Sequence, residues 1–401
     1  MRVQLIARVL GAVAVGLWTT SVVVTQTGPT EAPAGFDGGS NGFITGPAFE
    51  EAKTEFTGPE TAADGVGPVF NGAGCGECHS VPTIGGSSQV VERRAGRFNG
   101  TTFFDHPGGS LIQDRAIDPR VQETVLAGHN VLALRSSISI LGDGFVEAID
   151  SNDLVDVANA QPLSMRGAFI QVPVLEAPGS RRGGRFGWKN QQASLLSFSA
   201  DAYVNEMGIT SPLQPTENSF NGNTAAVTAL DLVADPEDDG ADVQLFADFM
   251  RSTKVPPRDA NIASSSDAIL GSSLFNQAGC NVCHTRTFVT APRGTVINGG
   301  KFTVPSALGN KIIHPFSDFL MHDIGTGDGI VQNGGAGTRN QLRTAALWGL
   351  RARGRFMHDL QSHSFNDAIQ RHGGQAASSR SSFNALTSTD RNRVLRFLAS
   401  L

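Results

Sequence analysis

The sequence predicts a mainly α protein of two helical units, with long loops and little β structure. Three observations predict it. Phe70-Asn71-Gly72-Ala73-Gly74-Cys75 recurs as Phe275-Asn276-Gln277-Ala278-Gly279-Cys280, an offset of 205 residues (280 minus 75), so the chain carries an internal duplication. Ahead of the second copy, Asp267 to Gln277 places Ile269, Leu270, Leu274 and Phe275 on one face at helical spacing. At the end of the chain, Thr389 or Asp390 can cap a last helix in which Val394, Phe397, Leu398 and Leu401 share a face. A length of 401 residues suits two domains at roughly 100 to 200 residues each, and 40% hydrophobic with 17% charged residues excludes a disordered or collagen-like chain.

Residues 1–25 read as an export signal or an uncleaved anchor. Arg2 and Arg8 precede an apolar stretch from Val9 to Val24, shorter than the roughly 20 residues of a spanning helix. Small residues after Thr25 and at Ala32-Pro33-Ala34 offer alternative cleavage points. Loss of Arg2 and Arg8 takes the formal charge from −6 to −8 (−6 minus 2), a mildly acidic protein expected in the periplasm. It would touch the membrane only if that first segment is retained. Just 5 of the 31 basic residues are Lys, and no basic run tracks a phosphate backbone, which argues against nucleic acid as a partner.

All four cysteines fall in Cys75-Gly76-Glu77-Cys78-His79 and Cys280-Asn281-Val282-Cys283-His284, leaving none for a structural disulfide. C-x-x-C-H attaches c-type haem: two thiols add across two vinyl groups, and the next residue presents an imidazole to the iron. A redox-active C-x-x-C leaves the His after both pairs unexplained, and a zinc ribbon spaces its pairs by roughly 15 to 20 residues rather than two hundred. Two covalently bound haem c groups are therefore expected, one in each of two cytochrome c-like domains, 40–255 and 262–401. Pro236-Glu237-Asp238-Asp239-Gly240 and Lys254-Val255-Pro256-Pro257 supply the linker signals between them.

The occupant of each iron's sixth position decides between electron transfer and catalysis. In the C-terminal half the candidates are Met321, His314, His322, Met357, His358, His363 and His372. Met357 lies 73 residues after His284 (357 minus 284), and a thioether there would raise the potential of that haem; core packing is the competing role. Arg181-Arg182-Gly183-Gly184-Arg185 and Arg351-Ala352-Arg353-Gly354-Arg355 offer guanidinium forks to haem propionates, to a docking partner or to solvent. The run from Gly325 to Gly337 neither follows a clear strand nor opens a helix, so it reads as a loop near the second haem rather than a nucleotide loop.

Beyond these motifs, Thr338 to Asp359, TRNQLRTAALWGLRARGRFMHD, resembles the TPSLRNVALTAPYMHDG region of bacterial dihaem cytochrome c peroxidases. Arg185 to Gly208, RFGWKNQQASLLSFSADAYVNEMG, resembles their FWDGRA...NPVEMG region. Gly65 to Asn71, Ile140 to Ile149, Met207 to Ser211 and His372-Gly373-Gly374 are most similar to the dihaem oxidoreductases, a group described as peroxidases or thiol oxidoreductases within the peroxidase and MauG superfamily. The likeness runs from about residue 40 to the C-terminus.

The resemblance implies an enzyme with divided labour. A haem ligated by His284 and Met357 would accept electrons from a donor such as a small cytochrome c or cupredoxin, and the haem ligated by His79 would reduce hydrogen peroxide. Trp188 matches the family's Trp between the haems, and Glu206 its acidic residue above the peroxidatic haem; a packing Trp and a surface Glu at a helix end are the plainer alternatives. His129, before Arg135-Ser136-Ser137, matches the His that closes the peroxidatic iron in members requiring activation; His106 competes with it. The family's Gln upstream of the catalytic Glu is replaced near Phe198, a departure from the peroxidase pattern. The superfamily often places a Ca2+ between its domains, but no run of oxygen ligands identifies one here. MauG-type oxidases ligate their second haem with Tyr; the one tyrosine, Tyr203, falls in the N-terminal half, which disfavours that scheme. A two-haem electron carrier without substrate and a MauG-like oxidase of another substrate are the alternatives.

Overall fold

The computed structural model describes residues 28–401; the expected signal or anchor, residues 1–25, lies outside them. The described chain is mostly helical with little sheet. Among the described residues no helix is long and apolar enough to cross a membrane.

The N-terminal half is built on three helices. Pro47–Thr57 begins with Pro at its first turn, where a missing N–H costs nothing, and buries Phe49, Ala52 and Phe56 along one stripe. That stripe packs on Ala241–Ser252, with Phe56 and Phe249 ring centres 4.6 Å apart. Leu195–Ala202, capped by Ser194 through the N–H of Ser197, packs on the same helix and continues as a π turn, Tyr203–Met207. Gly208 ends that turn at φ 72, against the backbone of Gly67, where a side chain would collide.

Beside the helices lies a small antiparallel sheet that the helical reading did not place. Val91–Phe98 is its centre, flanked by Phe103–Asp105, Leu111–Ile112 and Val131–Ser136, with Val91 opposite Ser136 and Arg93 opposite Ile112. Alternation along Val91–Phe98 is blurred because both faces carry charge, Arg93 and Arg97 on one and Glu92 and Arg94 on the other, and polar faces weaken the period-two signal.

In the C-terminal half, Ser266–Gln277 packs along Ser388–Leu398. The last helix buries Val394, Phe397, Leu398 and Leu401 as expected. Its cap is Thr387, which accepts from the Asp390 N–H while Asp390 sits at the third helical position; Thr389 and Asp390 themselves lie inside the helix. The buried face of Ser266–Gln277 also differs from the expected one: Ala268, Gly271 and Phe275 are inside, whereas Ile269 and Leu270 are 57% and 46% exposed. Gly271 lies directly against the Arg393 backbone, so close helix approach selects the small-residue face over the larger aliphatic one. Between the halves, residues 253–259 fall between the helices Ala241–Ser252 and Ala260–Ala263, and the main apolar cluster draws on both sides of that stretch, from Phe49 to Trp348.

Candidate haem-binding and redox site

The first motif forms a short turn, Cys75–Glu77, with the His79 N–H donating to the Cys75 carbonyl at 3.0 Å. The His79 ring donates from Nδ1 to the Gly86 carbonyl, which leaves Nε2 to face a ligand. Above it opens a cavity of about 650 Å3, walled on one side by Phe56, Cys75, Cys78 and His79. Free thiols, an oriented imidazole and a partly apolar cavity of this volume are what a covalently attached haem requires, so the residues fit the group.

Glu206 also lines the cavity. Its backbone carbonyl accepts from the N–H groups of Asn71 and Gly72, so the segment leading into the first motif positions the π turn. Its carboxyl accepts from Asn71 Nδ2 at 2.7 Å and is hydrogen-bonded to Glu92 from the sheet. Burial and the neighbouring Glu92 push the Glu206 carboxyl up to about 8, while the Arg94 guanidinium, 2.5 Å from Glu92, holds Glu92 below the usual range. The two carboxyls therefore keep one proton between them at neutral pH. Glu92 and Arg94 were missed from the sequence; their one signal is a pair of charges two apart on a strand face.

Trp188 also lines this cavity. Its indole N–H donates to the Ser136 carbonyl at 2.8 Å, and its ring meets His358 edge-on at 6.0 Å, while the Ser136 N–H donates to the His358 carbonyl. Trp188 thus stands between the cavity and the Met357-His358 segment. Behind it, Asp328 is fully buried with Arg135 and Lys189 at 2.7 and 2.9 Å.

His129 is not brought to the cavity. It sits after a turn at Gly128, its Nδ1 on the Leu126 carbonyl and its ring 4.9 Å from that of His106. His106 is buried, engages the Pro107 and Thr124 carbonyls through both ring nitrogens, and likewise lies outside the cavity wall. Tyr203 lines the cavity but is a packing residue at its ring, edge-on to Phe246, with its hydroxyl donating to Glu60 at 2.7 Å.

The second motif repeats the first: Cys280–Val282 turns, and His284 donates from Nδ1 to the Phe316 carbonyl at 3.0 Å. Met357 occupies the left-handed region at φ 69, in a loop closed by pairing of Phe356 with Ser362. Of the arginine runs, Arg182 and Arg185 are interior and donate to the Glu147 and Ile149 carbonyls, so they brace the loop before Ser151, whereas Arg181, Arg351 and Arg355 are exposed and Arg353 is half-buried. A carboxylate cluster among the described residues, Glu217, Asp235 and Glu237, lies within the N-terminal half rather than between the halves, where the resemblance allows a Ca2+.

The family model described as "Di-haem oxidoreductase, putative peroxidase" matches residues 83–401. The chain belongs to this di-haem oxidoreductase family. Haem is accordingly its cofactor, and oxidation–reduction its class of chemistry. No curated protein matches the sequence. Among solved structures, the chain is similar to the diheme peroxidase BthA from Burkholderia thailandensis E264, at 15% identity and TM-score 0.42 over 94% of this chain and 92% of that one. It is similar also to a MauG-like protein associated with microbial copper homeostasis, at 12% and 0.40 over 96% and 95%. A third is the hydrazine synthase of Kuenenia stuttgartiensis, at 12% and 0.37 over 98% and 99%.

Proposed function

We propose that this di-haem oxidoreductase is an exported, periplasmic peroxidase that reduces hydrogen peroxide in the N-terminal cavity with electrons entering through the C-terminal haem. The observation that carries the reading is Glu206 with its proton-sharing partner Glu92, lining the same cavity as Cys75, Cys78 and His79. Haem held by Cys75, Cys78 and His79 in the first site, and by Cys280, Cys283 and His284 in the second, supplies the redox chemistry.

The residues of the chain do the rest. A carboxyl pair holding one proton contains both an acceptor and a donor. The pair takes a proton from the inner peroxide oxygen and returns one to the outer oxygen, so that with two electrons and two protons from the medium one peroxide becomes two waters. Asn71 fixes the Glu206 carboxyl by the 2.7 Å bond, and Arg94 balances the anionic charge left on Glu92. Gln113, held on the Asn205 carbonyl at 3.2 Å, adds an amide to the same wall. Trp188 lies beside the electron path toward His358. The absence of His129 from this wall supports a site open to substrate rather than a carrier closed on both irons.

The test is stopped-flow mixing of half-reduced holoprotein with stoichiometric peroxide. Fast reoxidation of the reduced haem is expected. No reaction over minutes, with both irons six-coordinate, would leave an electron carrier as the better account.

A further inference from the structure

We infer that the sixth ligand of the second iron is His372, not Met357. The reading rests on haem attachment at Cys280, Cys283 and His284. The His372 and His284 rings face one another with centres 6.4 Å apart and planes at 53°. A metal–imidazole bond is about 2 Å and the ring centre lies about 1 Å beyond the nitrogen, so two imidazoles on opposite sides of one iron stand roughly 6 Å apart. The separation matches a single metal between the rings and is too long for stacking contact.

Both rings are oriented for that role. His284 Nδ1 donates to the Phe316 carbonyl at 3.0 Å, and His372 Nδ1 donates to the Ala368 carbonyl at 2.8 Å. A carbonyl only accepts, so each Nδ1 carries the proton and each Nε2 keeps its lone pair. Among the described residues, neither Nε2 has a hydrogen-bond partner.

The backbone around His372 is fastened from several directions. It follows the helix Phe365–Gln370, and its N–H donates to the Ile369 carbonyl. Gly373 donates to the Ile324 carbonyl at 2.7 Å and Gln375 to the Asp323 carbonyl at 2.8 Å. Gly374, at φ 48, passes so close to Asp323 that a side chain would strike its carbonyl. In the His-Gly-Gly run it is Gly374 that allows this close approach.

The other candidates are occupied or misplaced. His322 spends one nitrogen on Asp318 at 2.8 Å and holds the other 3.7 Å from Cys283 Sγ. His314 engages Thr287 and Glu31, His363 is exposed, and His358 lies against Trp188. Met321 is fully buried on a strand paired with Arg343. Met357 is absent from the apolar cluster of Phe275, Phe316 and Phe356 that surrounds the second motif. Its loop is instead clamped by Arg371, the neighbour of His372, through two bonds to Asp359 at 2.6 and 2.9 Å. Two nitrogen ligands in place of a nitrogen and a thioether lower the potential expected of this haem.

The experiment is optical, electron-paramagnetic and near-infrared magnetic-dichroism spectroscopy of ferric holoprotein, with haem content fixed first by pyridine haemochrome assay. Wild type should carry two haems, show no thioether-to-iron charge-transfer band, and show the near-infrared signature of bis-imidazole iron. Met357→Leu should leave these spectra and both midpoint potentials unchanged. His372→Ala should turn the second haem high-spin, with low-spin iron restored by added imidazole. Should that variant fail to fold, the wild-type and Met357→Leu spectra decide. Two haems with a thioether band lost in Met357→Leu would overturn the ligation alone. A low-spin second haem surviving His372→Ala without imidazole would overturn it too. One haem per chain would refute attachment at the second motif, and the ligation with it.

Discussion

Glu206→Gln separates catalysis from stability because the two should move in opposite directions. The amide reproduces the local contacts: its oxygen accepts from Asn71 Nδ2, and its NH2 donates to Glu92, as the protonated carboxyl does. What it removes is the transferable proton. Loss of a positioned proton shuttle costs about 10² to 10⁴ in rate, or about 3 to 5 kcal/mol of transition-state stabilisation. Stability follows the weakened acidity of the buried carboxyl, whose pKa is raised from 4.5 to about 8. A carboxyl whose folded value is raised stabilises the fold fully below the unfolded value, and that contribution is lost as pH climbs toward the folded value. Each pH unit in this window is worth 1.36 kcal/mol, so at pH 7 ionisation of the unfolded chain costs wild type up to about 3 kcal/mol that the Gln variant does not lose. The assays are peroxide-dependent oxidation of a reduced donor protein, and denaturant unfolding of holoprotein at pH 4.5, 7 and 8.5. Wild type and variant should coincide at the lowest pH, and the variant should be the more stable above it. Turnover within a few-fold of wild type, or equal pH dependence of stability, would refute the role given to Glu206.

Trp188→Phe keeps the apolar bulk but loses the hydrogen bond to Ser136, for about 1 kcal/mol of stability, and should slow electron transfer between the haems in flash reduction while haem content stays at two. Asp328→Asn leaves Arg135 and Lys189 buried beside a neutral group and should cost about 3 to 5 kcal/mol in denaturant unfolding. Cys75→Ser combined with Cys78→Ser should yield a chain with one covalent haem by mass spectrometry and haemochrome assay, and no reaction with peroxide. Two covalent haems in that variant would refute the attachment site.

The parts legible in the sequence are those that local covalent chemistry or helical period dictates. C-x-x-C-H keeps its residues adjacent, so Cys75, Cys78, His79, Cys280, Cys283 and His284 stand out in the sequence as candidates for haem attachment. The last helix was legible because Val394, Phe397, Leu398 and Leu401 meet one partner along a simple stripe. The face of Ser266–Gln277 was not, because hydrophobicity favours Ile269 and Leu270 while the distance to the Arg393 backbone favours Gly271. Spacing also could not place His129 and His372, which differ in ways no count of residues reveals: one ring lies beside His106, the other beside His284.

The sequence by itself determined a duplicated, mostly helical protein with two haem-attachment motifs and a family resemblance that names Glu206 and Trp188. These follow from contacts between near neighbours in the chain, which composition and spacing record. Only the tertiary structure decided that Glu92, paired with Arg94 on a small sheet, meets Glu206, that Trp188 bridges Ser136 and His358, and that His372 rather than Met357 lies beside His284. Each of these joins residues far apart in sequence. Their meeting depends on packed helices and buried hydrogen bonds that fix position to within a bond length, and a linear pattern carries no record of it.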